Sequence, residues 1–264
     1  MPGVYDREKR AAITRKVSPK YSSALASYFG KNTPNEMLAN GSHDAYVAAL
    51  KAHGTNVVVL PALDDRPDCC FVEDTAVILD DSVVISNMGH PSRVGEEDAI
   101  REYLSSDYEI LEMPKGGTID GGDVVFFDDR FLVGISTRTN KLGAEFLSSE
   151  IQKNGYETEF INIPESTLHL TTICSSPRQG TIVLAEGHLD PGRFGFVEEL
   201  LKVPNSESYA ANVLGYPEEK VIIANGFPFT RQILMDSGFS ITSVDMAPIM
   251  EADGSLTCLS LYVK

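Results

Sequence analysis

Six residues in this chain could together make and break covalent bonds. They are Cys258 in LTCLSLYV, His169 in TLHLTT, Asp120 and Asp123 in GGTIDGGDVV, and Glu73 and Asp74 in DCCFVEDTA. A thiolate is a strong nucleophile, but at neutral pH it needs a nearby cation to form. Histidine, with an intrinsic pKa of about 6.5, can give or take a proton near neutrality. Cysteine with histidine and carboxylate is therefore a nucleophile with its acid–base partner. The carboxylates narrow the electrophile. They would repel the anionic tetrahedral intermediate of ordinary acyl transfer and hold a delocalised cation. A planar guanidinium meets a carboxylate through two parallel hydrogen bonds. The set favours attack on a guanidinium carbon over peptide hydrolysis.

Each residue also has a plainer reading. Cys258 fits a packed core, where free cysteine is common. His169 fits a core histidine bonded to backbone. GGTIDGGDVV fits a turn whose glycines serve positive φ, and no GxGxxG opens a helix there. DCCFVEDTA fits a buried strand ending in an exposed acidic turn. The elements that carry these residues must decide.

Short runs rich in Val, Ile, Leu and Phe predict strands at 56–60, 75–79, 82–86, 124–127, 131–134, 181–184, 221–224 and 256–263. Helices are expected at 35–53, 96–105, 141–154, 193–201 and 229–237, with Gly54, Gly155 and Gly238 as left-handed caps after three of them. The hairpins recur. Asp74 leads to the turn Asp80-Asp81, Asp123 to Asp128-Asp129, Thr172 to Arg178-Gln179 and Asn212 to Glu218-Glu219, each followed by an apolar strand. Each unit reads strand, turn, strand, helix, strand. A fifth unit forms if the strand carrying Cys258 joins one near 11–17, closing a ring without a dangling repeat. Asp74, Asp123, Thr172, Asn212 and Cys258 then share one phase and converge on a common axis, with Glu73, Asp120 and His169 beside them. Polar groups are costly to bury without purpose, so a functional central pocket is expected.

The chain has 264 residues, 42% hydrophobic and 23% charged, and a formal net charge of -16. That charge argues against nucleic acid and anionic membranes as partners and suits a small cationic molecule. The first twenty residues are locally basic, but no apolar run follows them, so a soluble cytoplasmic protein is expected. Cys69, Cys70, Cys174 and Cys258 form no CxxC or zinc-spaced cluster, which predicts free thiols in a reducing compartment.

PDCCFVEDTAV, GTIDGGDVV, RTNKLGAEFL, TLHLTT, YAANVL and DGSLTCLSL stand in the order found in dimethylarginine dimethylaminohydrolases, and the chain resembles that family from about Thr14 to its C-terminus. The resemblance implies a pentein fold, an α/β five-bladed ββαβ propeller with pseudo-fivefold symmetry and a central channel. It implies one domain over 1–264, with the first and last strands closing one blade. It further implies Cys258 as nucleophile and His169 as general acid–base. Asp120 would hold the guanidinium and orient the histidine, and Glu73 and Asp74 would form an acidic pair at the substrate head. Asp68 would contact the substrate α-amino group and Arg138 its carboxylate. Leu25, after a mobile lid, joins Phe71 and Asp245 in the expected substrate-binding set. No cofactor is implied, and zinc at Cys258 and His169 would be an inhibitor. Two stretches depart from the family. Asn87 and Met88 stand where an Arg-Pro-Gly segment usually begins, and Thr171 replaces a lysine. Loss of a carboxylate-reading arginine would remove a charge-assisted bond worth about 1.5–3 kcal/mol. The alternatives are another guanidino substrate, amidino transfer, or a pentein that binds without catalysis.

Overall fold

The acidic pairs do turn the chain. In the computed structural model, which describes residues 8–264, Asp80, Asp128 and Glu218 adopt positive φ at hairpin tips. Such tips match the right-handed twist of the strands they join. β1 (Ala11–Arg15) leads through α1 (Glu36–Ala52) to β2 (Asn56–Leu60), parallel to it. β3 (Ala76–Leu79) and β4 (Ser82–Ile85) form a hairpin, and α2 (Asp98–Leu104) returns the chain to β5 (Glu109–Glu112), parallel to β4. β6 (Val124–Phe127), β7 (Arg130–Ile135), α3 (Lys141–Lys153) and β8 (Glu157–Asn162) repeat the unit. So do β9 (Cys174–Arg178), β10 (Thr181–Ala185) and β11 (Glu199–Val203), and then β12 (Leu214–Tyr216), β13 (Lys220–Ala224), α4 (Pro228–Asp236) and β14 (Ser240–Val244). After α5 (Ala247–Met250), the last strand β15 (Leu261–Val263) pairs antiparallel with β1.

Five three-stranded sheets result, each a blade. Neighbouring blades touch through their first strands: β6 against β9, β9 against β12, and β15 against β3. A cavity of about 150 Å³ on the axis is walled by residues of all five first strands, Ile78, Phe126, Ser176, Leu214 and Leu261 among them. The ring is closed. Apolar cores fill the space between blades: Val77, Leu79 and Val84 of one blade pack with Phe131, Val133 and Leu147 of the next. Each fully buried side chain of this size contributes about 1.5–3 kcal/mol. The longest helix, α1, buries Ala39, His43, Tyr46, Val47 and Leu50 along one face, and Asn35 caps it by accepting the Leu38 N–H.

Two expectations fail. The helix expected at 193–201 is a short 3₁₀ turn, Pro191–Phe194, followed by β11. Pro191, Gly192 and Gly195 break the helix, and the apolar run from Glu199 pairs in parallel with β10. The strand expected at 256–263 begins only at Leu261, because Thr257–Leu259 forms a 3₁₀ turn. Cys258 thus sits on a turn at the end of a blade. Of the basic N-terminal residues, Arg7 lies outside the described residues.

Candidate active site

A tight turn precedes the first strand of each blade. Val72–Thr75, Gly121–Asp123 and Thr257–Leu259 are 3₁₀ turns, Thr172 closes a turn onto His169, and Asn212 follows the 3₁₀ segment Asn205–Ala211. Hydrogen bonds run from each turn to the next around the axis. Asp74 Oδ1 accepts the Gly122 N–H at 3.0 Å, and Asp123 Oδ1 accepts that of Leu170 at 3.1 Å. Asn212 Nδ2 donates to the Thr171 carbonyl at 2.8 Å, and its Oδ1 accepts the Thr257 N–H at 3.1 Å. Thr257 Oγ1 donates to Glu73 Oε2 at 2.8 Å and closes the circle. Three residues of the phase seen in the sequence, Asp74, Asp123 and Asn212, thus join Thr257 and Glu73 in a ring of buried and part-buried hydrogen bonds. Gly122 belongs to it for a steric reason, since a Cβ there would lie 2.7 Å from His169 Nδ1 and 2.8 Å from Asp74 Oδ1. Its φ is not in the left-handed region, whereas Gly116, earlier in the same motif, has φ +87°.

Above this ring lies a cavity of about 330 Å³ bordered by Cys258, His169, Asp74, Asp68, Arg93 and Arg138. His169 Nε2 lies 3.1 Å from Asp120 Oδ2, and its Nδ1 lies 3.7 Å from Asp74 Oδ1. Asp120 is wholly buried and held on every side: Gly89 N–H donates to Oδ1 at 2.9 Å, and Arg138 Nη1 lies 3.4 Å from Oδ2. Arg93 is also buried; it pairs with Asp74 and Glu96 and donates to the Phe71 carbonyl at 3.0 Å.

Burial alone would lower the His169 pKa, but Asp74, Asp120 and Asp123 raise it to about 9. At neutral pH the imidazole is protonated, so Nε2 donates to Asp120. Burial would raise Asp120, yet the bond to His169 and its charge hold the carboxyl at about 2. Cys258 moves the other way. Burial, then Glu73 and Asp74, push its thiol well above the ordinary value. The resting pair is a neutral thiol and a charged imidazole, and a cation entering the cavity would favour the thiolate.

The family model described as "N,N dimethylarginine dimethylhydrolase, eukaryotic" matches residues 27–190. The N(G),N(G)-dimethylarginine dimethylaminohydrolase of Pseudomonas aeruginosa is 31% identical over 240 residues, 89% of this chain and 92% of that protein. The chain belongs to the dimethylarginine dimethylaminohydrolase family. A structure of that family's Pseudomonas aeruginosa member, a cysteine-to-serine mutant complexed with citrulline, matches with a TM-score of 0.89 at 28% identity, covering 96% of this chain and 99% of that one. The N-terminal domain of ArgZ, a cyanobacterial arginine dihydrolase, shares the fold at 16% identity, with a TM-score of 0.86 over 96% of this chain and 97% of that chain. This dimethylaminohydrolase-family chain is a C–N hydrolase of the dimethylargininase type with a pentein fold.

Most residues expected from the family resemblance border the cavity: Leu25, Asp68, Phe71, Asp74, Arg138, His169 and Cys258. Asp120 stands behind His169. Three placements correct the sequence reading. Asp245 is exposed, accepts the Ala247 N–H at 3.1 Å in the turn that leads into α5, and does not border the cavity. Glu73 and Asp74 do not act as a pair facing one way; Asp74 borders the upper cavity, and Glu73 borders the axial cavity beneath the ring. Asn87 donates to the Gly117 carbonyl at 3.0 Å and Met88 is buried, so neither stands in the cavity wall. The wall does not lack a second cation, because Arg93 supplies it. Arg93 was not singled out in the sequence, because nothing in its local stretch marks it as buried against Asp74 and Glu96. Asp123 serves the ring, accepting from Ser136 Oγ at 2.6 Å, and burial raises its pKa to about 6. His90 also borders the cavity, its pKa lowered by burial and by Arg138. Among the described residues, Asp74, Asp120 and His169 bring one ligand atom each within 4.8 Å of one another; Cys258 is not in that trio.

Proposed function

We propose that the protein hydrolyses Nω-methylated and Nω,Nω-dimethylated arginine to citrulline and methylamine or dimethylamine. The observation that carries this reading is the His169–Asp120 hydrogen bond in the wall of a cavity that Cys258 also borders. In this scheme the substrate guanidinium enters the cavity beside Asp74 and Cys258, and its charge stabilises the Cys258 thiolate, whose proton leaves to water. The thiolate Sγ attacks the guanidinium carbon. As the bond to the methylated nitrogen breaks, protonated His169 gives its proton to the departing amine, leaving an S-alkylthiouronium on Cys258. Neutral His169 then takes a proton from water, the hydroxide adds to the same carbon, and the C–S bond breaks as the added hydroxyl gives its proton to water, releasing citrulline and the Cys258 thiolate.

Arg138 and Arg93 lie on the wall where a substrate carboxylate would be read, and Asp68 suits the α-amino group. Burial raises the Asp68 pKa, a cost that an ammonium would relieve. The scheme needs no cofactor, and zinc would inhibit by taking the Cys258 thiolate and the His169 imidazole. No helix among the described residues is long and apolar enough to cross a membrane. The four cysteines are free, which supports a cytoplasmic location.

The test is product identification after parallel incubation with asymmetric dimethylarginine, monomethylarginine and arginine. Citrulline with dimethylamine or methylamine is the expected result. Citrulline from arginine alone, or no turnover by a folded protein whose Cys258 still alkylates, would overturn the substrate assignment.

A further inference from the structure

We propose that Asp253 is a positioning residue that latches the segment 25–30 over the cavity. The segment has neither helix nor strand to hold it, yet Leu25, Ser27 and Tyr28 form part of the cavity wall. The backbone N–H groups of its residues 27–30 all go to one carboxylate. Asp253 Oδ2 accepts the N–H groups of Ser27 and Tyr28, and Oδ1 accepts those of Phe29 at 2.6 Å and Gly30 at 3.0 Å. Four consecutive amides thus wrap a buried anion, and bonds to a charged acceptor are stronger than neutral ones.

The carboxylate is held rigidly. Asp253 has φ +58°, outside the range most side chains adopt, and its N–H donates to the Met250 carbonyl at 3.0 Å. On its far side, the Gly254 carbonyl accepts the Tyr209 hydroxyl at 2.8 Å, and Gly254 packs so closely on Phe71 that a Cβ would meet the ring at 2.2 Å. The lid seats equally closely, because a Cβ on Gly30 would lie 2.3 Å from the Glu251 carbonyl oxygen. Leu25 N–H donates to Asp68 Oδ1 at 3.0 Å, so the near end of the segment is tied to a cavity carboxylate as well. Asp253 lies on the same stretch of backbone as Cys258. The lid and the nucleophile are therefore positioned by one rigid loop, and opening the lid requires four amides to leave the carboxylate together.

The inference rests on the proposed reaction only for its kinetic arm. Amide hydrogen exchange on the wild-type protein comes first: the amides of 27–30 should exchange at least tenfold more slowly than those of an open loop. Free exchange there overturns the latch. Asp253→Asn keeps the shape but turns an amide NH₂ towards backbone donors, and Gly30→Ala leaves Asp253 untouched while forcing the lid off Glu251. Both should lose that protection and speed alkylation of Cys258 by iodoacetamide at least threefold. With methylarginine, kcat/KM should fall tenfold or more, carried mainly by KM. Unchanged exchange and alkylation in both variants would overturn the latch, as would a loss confined to kcat. If wild-type protein turns over no methylarginine, the proposed function fails, while exchange and alkylation still decide the latch.

Discussion

His169 Nε2 meets Asp120 Oδ2 at 3.1 Å although 49 residues, one blade of the propeller, separate them in sequence. With Asp74 approaching the other ring nitrogen, the imidazole is held between carboxylates from two neighbouring blades. It is thereby charged at neutral pH and aimed at the cavity.

Asp120→Asn removes one of the charges that raise His169, so its pKa falls from about 9 towards the ordinary value. The imidazole is then neutral over more of the working range and cannot protonate the leaving amine. The rate at pH 8 should drop by about 10²-fold or more. The alkaline limb of the pH–rate profile should move to lower pH. A limb that stays near pH 9 would show that Asp120 does not set the histidine.

Cys258→Ser should abolish turnover with a melting temperature within a few degrees of wild type, since the exchange removes one sulfur and adds no volume. Mass spectrometry of quenched wild-type reactions should reveal a covalent adduct that the variant lacks. Retained turnover would exclude the thiol as nucleophile.

Arg138→Leu should raise KM for methylarginine by about tenfold or more, as expected for losing a charge-assisted bond worth about 1.5–3 kcal/mol. Turnover of a methylated guanidine without a carboxylate should change little. Asn87→Arg should not lower KM, because the side chain at 87 bonds to Gly117 and does not face the cavity. A clear gain of affinity in Asn87→Arg would revive the idea that the carboxylate reader is weakened.

Glu96 connects the site to stability. It is buried beside Arg93, and burial outweighs that pairing and raises its pKa from 4.5 to about 7. The folded protein then binds the Glu96 proton more tightly than the unfolded chain does. Stability contributed by the neutral acid is full below pH 4.5 and declines as pH rises to about 7. The loss is on the order of 3 kcal/mol at about 1.4 kcal/mol per pKa unit. His169 adds to the decline, losing its contribution as pH rises through about 9. Denaturant titrations of Glu96→Gln from pH 4 to 8 should show a flatter profile than wild type; an identical slope would rule Glu96 out as the source.

Much of this was legible before any coordinates. The hairpin period was visible because Asp80, Asp128 and Glu218 must each take positive φ in a tight turn, and few residue types do so readily. The shared phase of Asp74, Asp123, Thr172, Asn212 and Cys258 followed from that period. What those residues do in the ring was not visible, since Asp123 and Asn212 bond to turns of the neighbouring blade. The 193–201 stretch misled because the apolar spacing of Phe194, Val197 and Leu201 suits a helix, while Gly192 and Gly195 weaken one and β10 offers an edge with which Glu199–Val203 pairs.

By itself the sequence determined the chemistry: a thiol, an imidazole and an excess of carboxylates are fixed by residue type, and so is the attraction for a cation. It also determined the repeat, because turn-forming residues and apolar alternation act locally. Tertiary structure alone decided which carboxylate faces which cavity. Asp74 and Glu73 are adjacent in sequence, yet one borders the upper cavity and the other the axial cavity below. Arg93 became part of a cavity wall and Asp245 an exposed residue bonded to the Ala247 N–H for the same reason. A side chain's direction is set by the backbone turn that carries it, and its pKa by charges from other blades, and neither is written in a residue's neighbours along the chain.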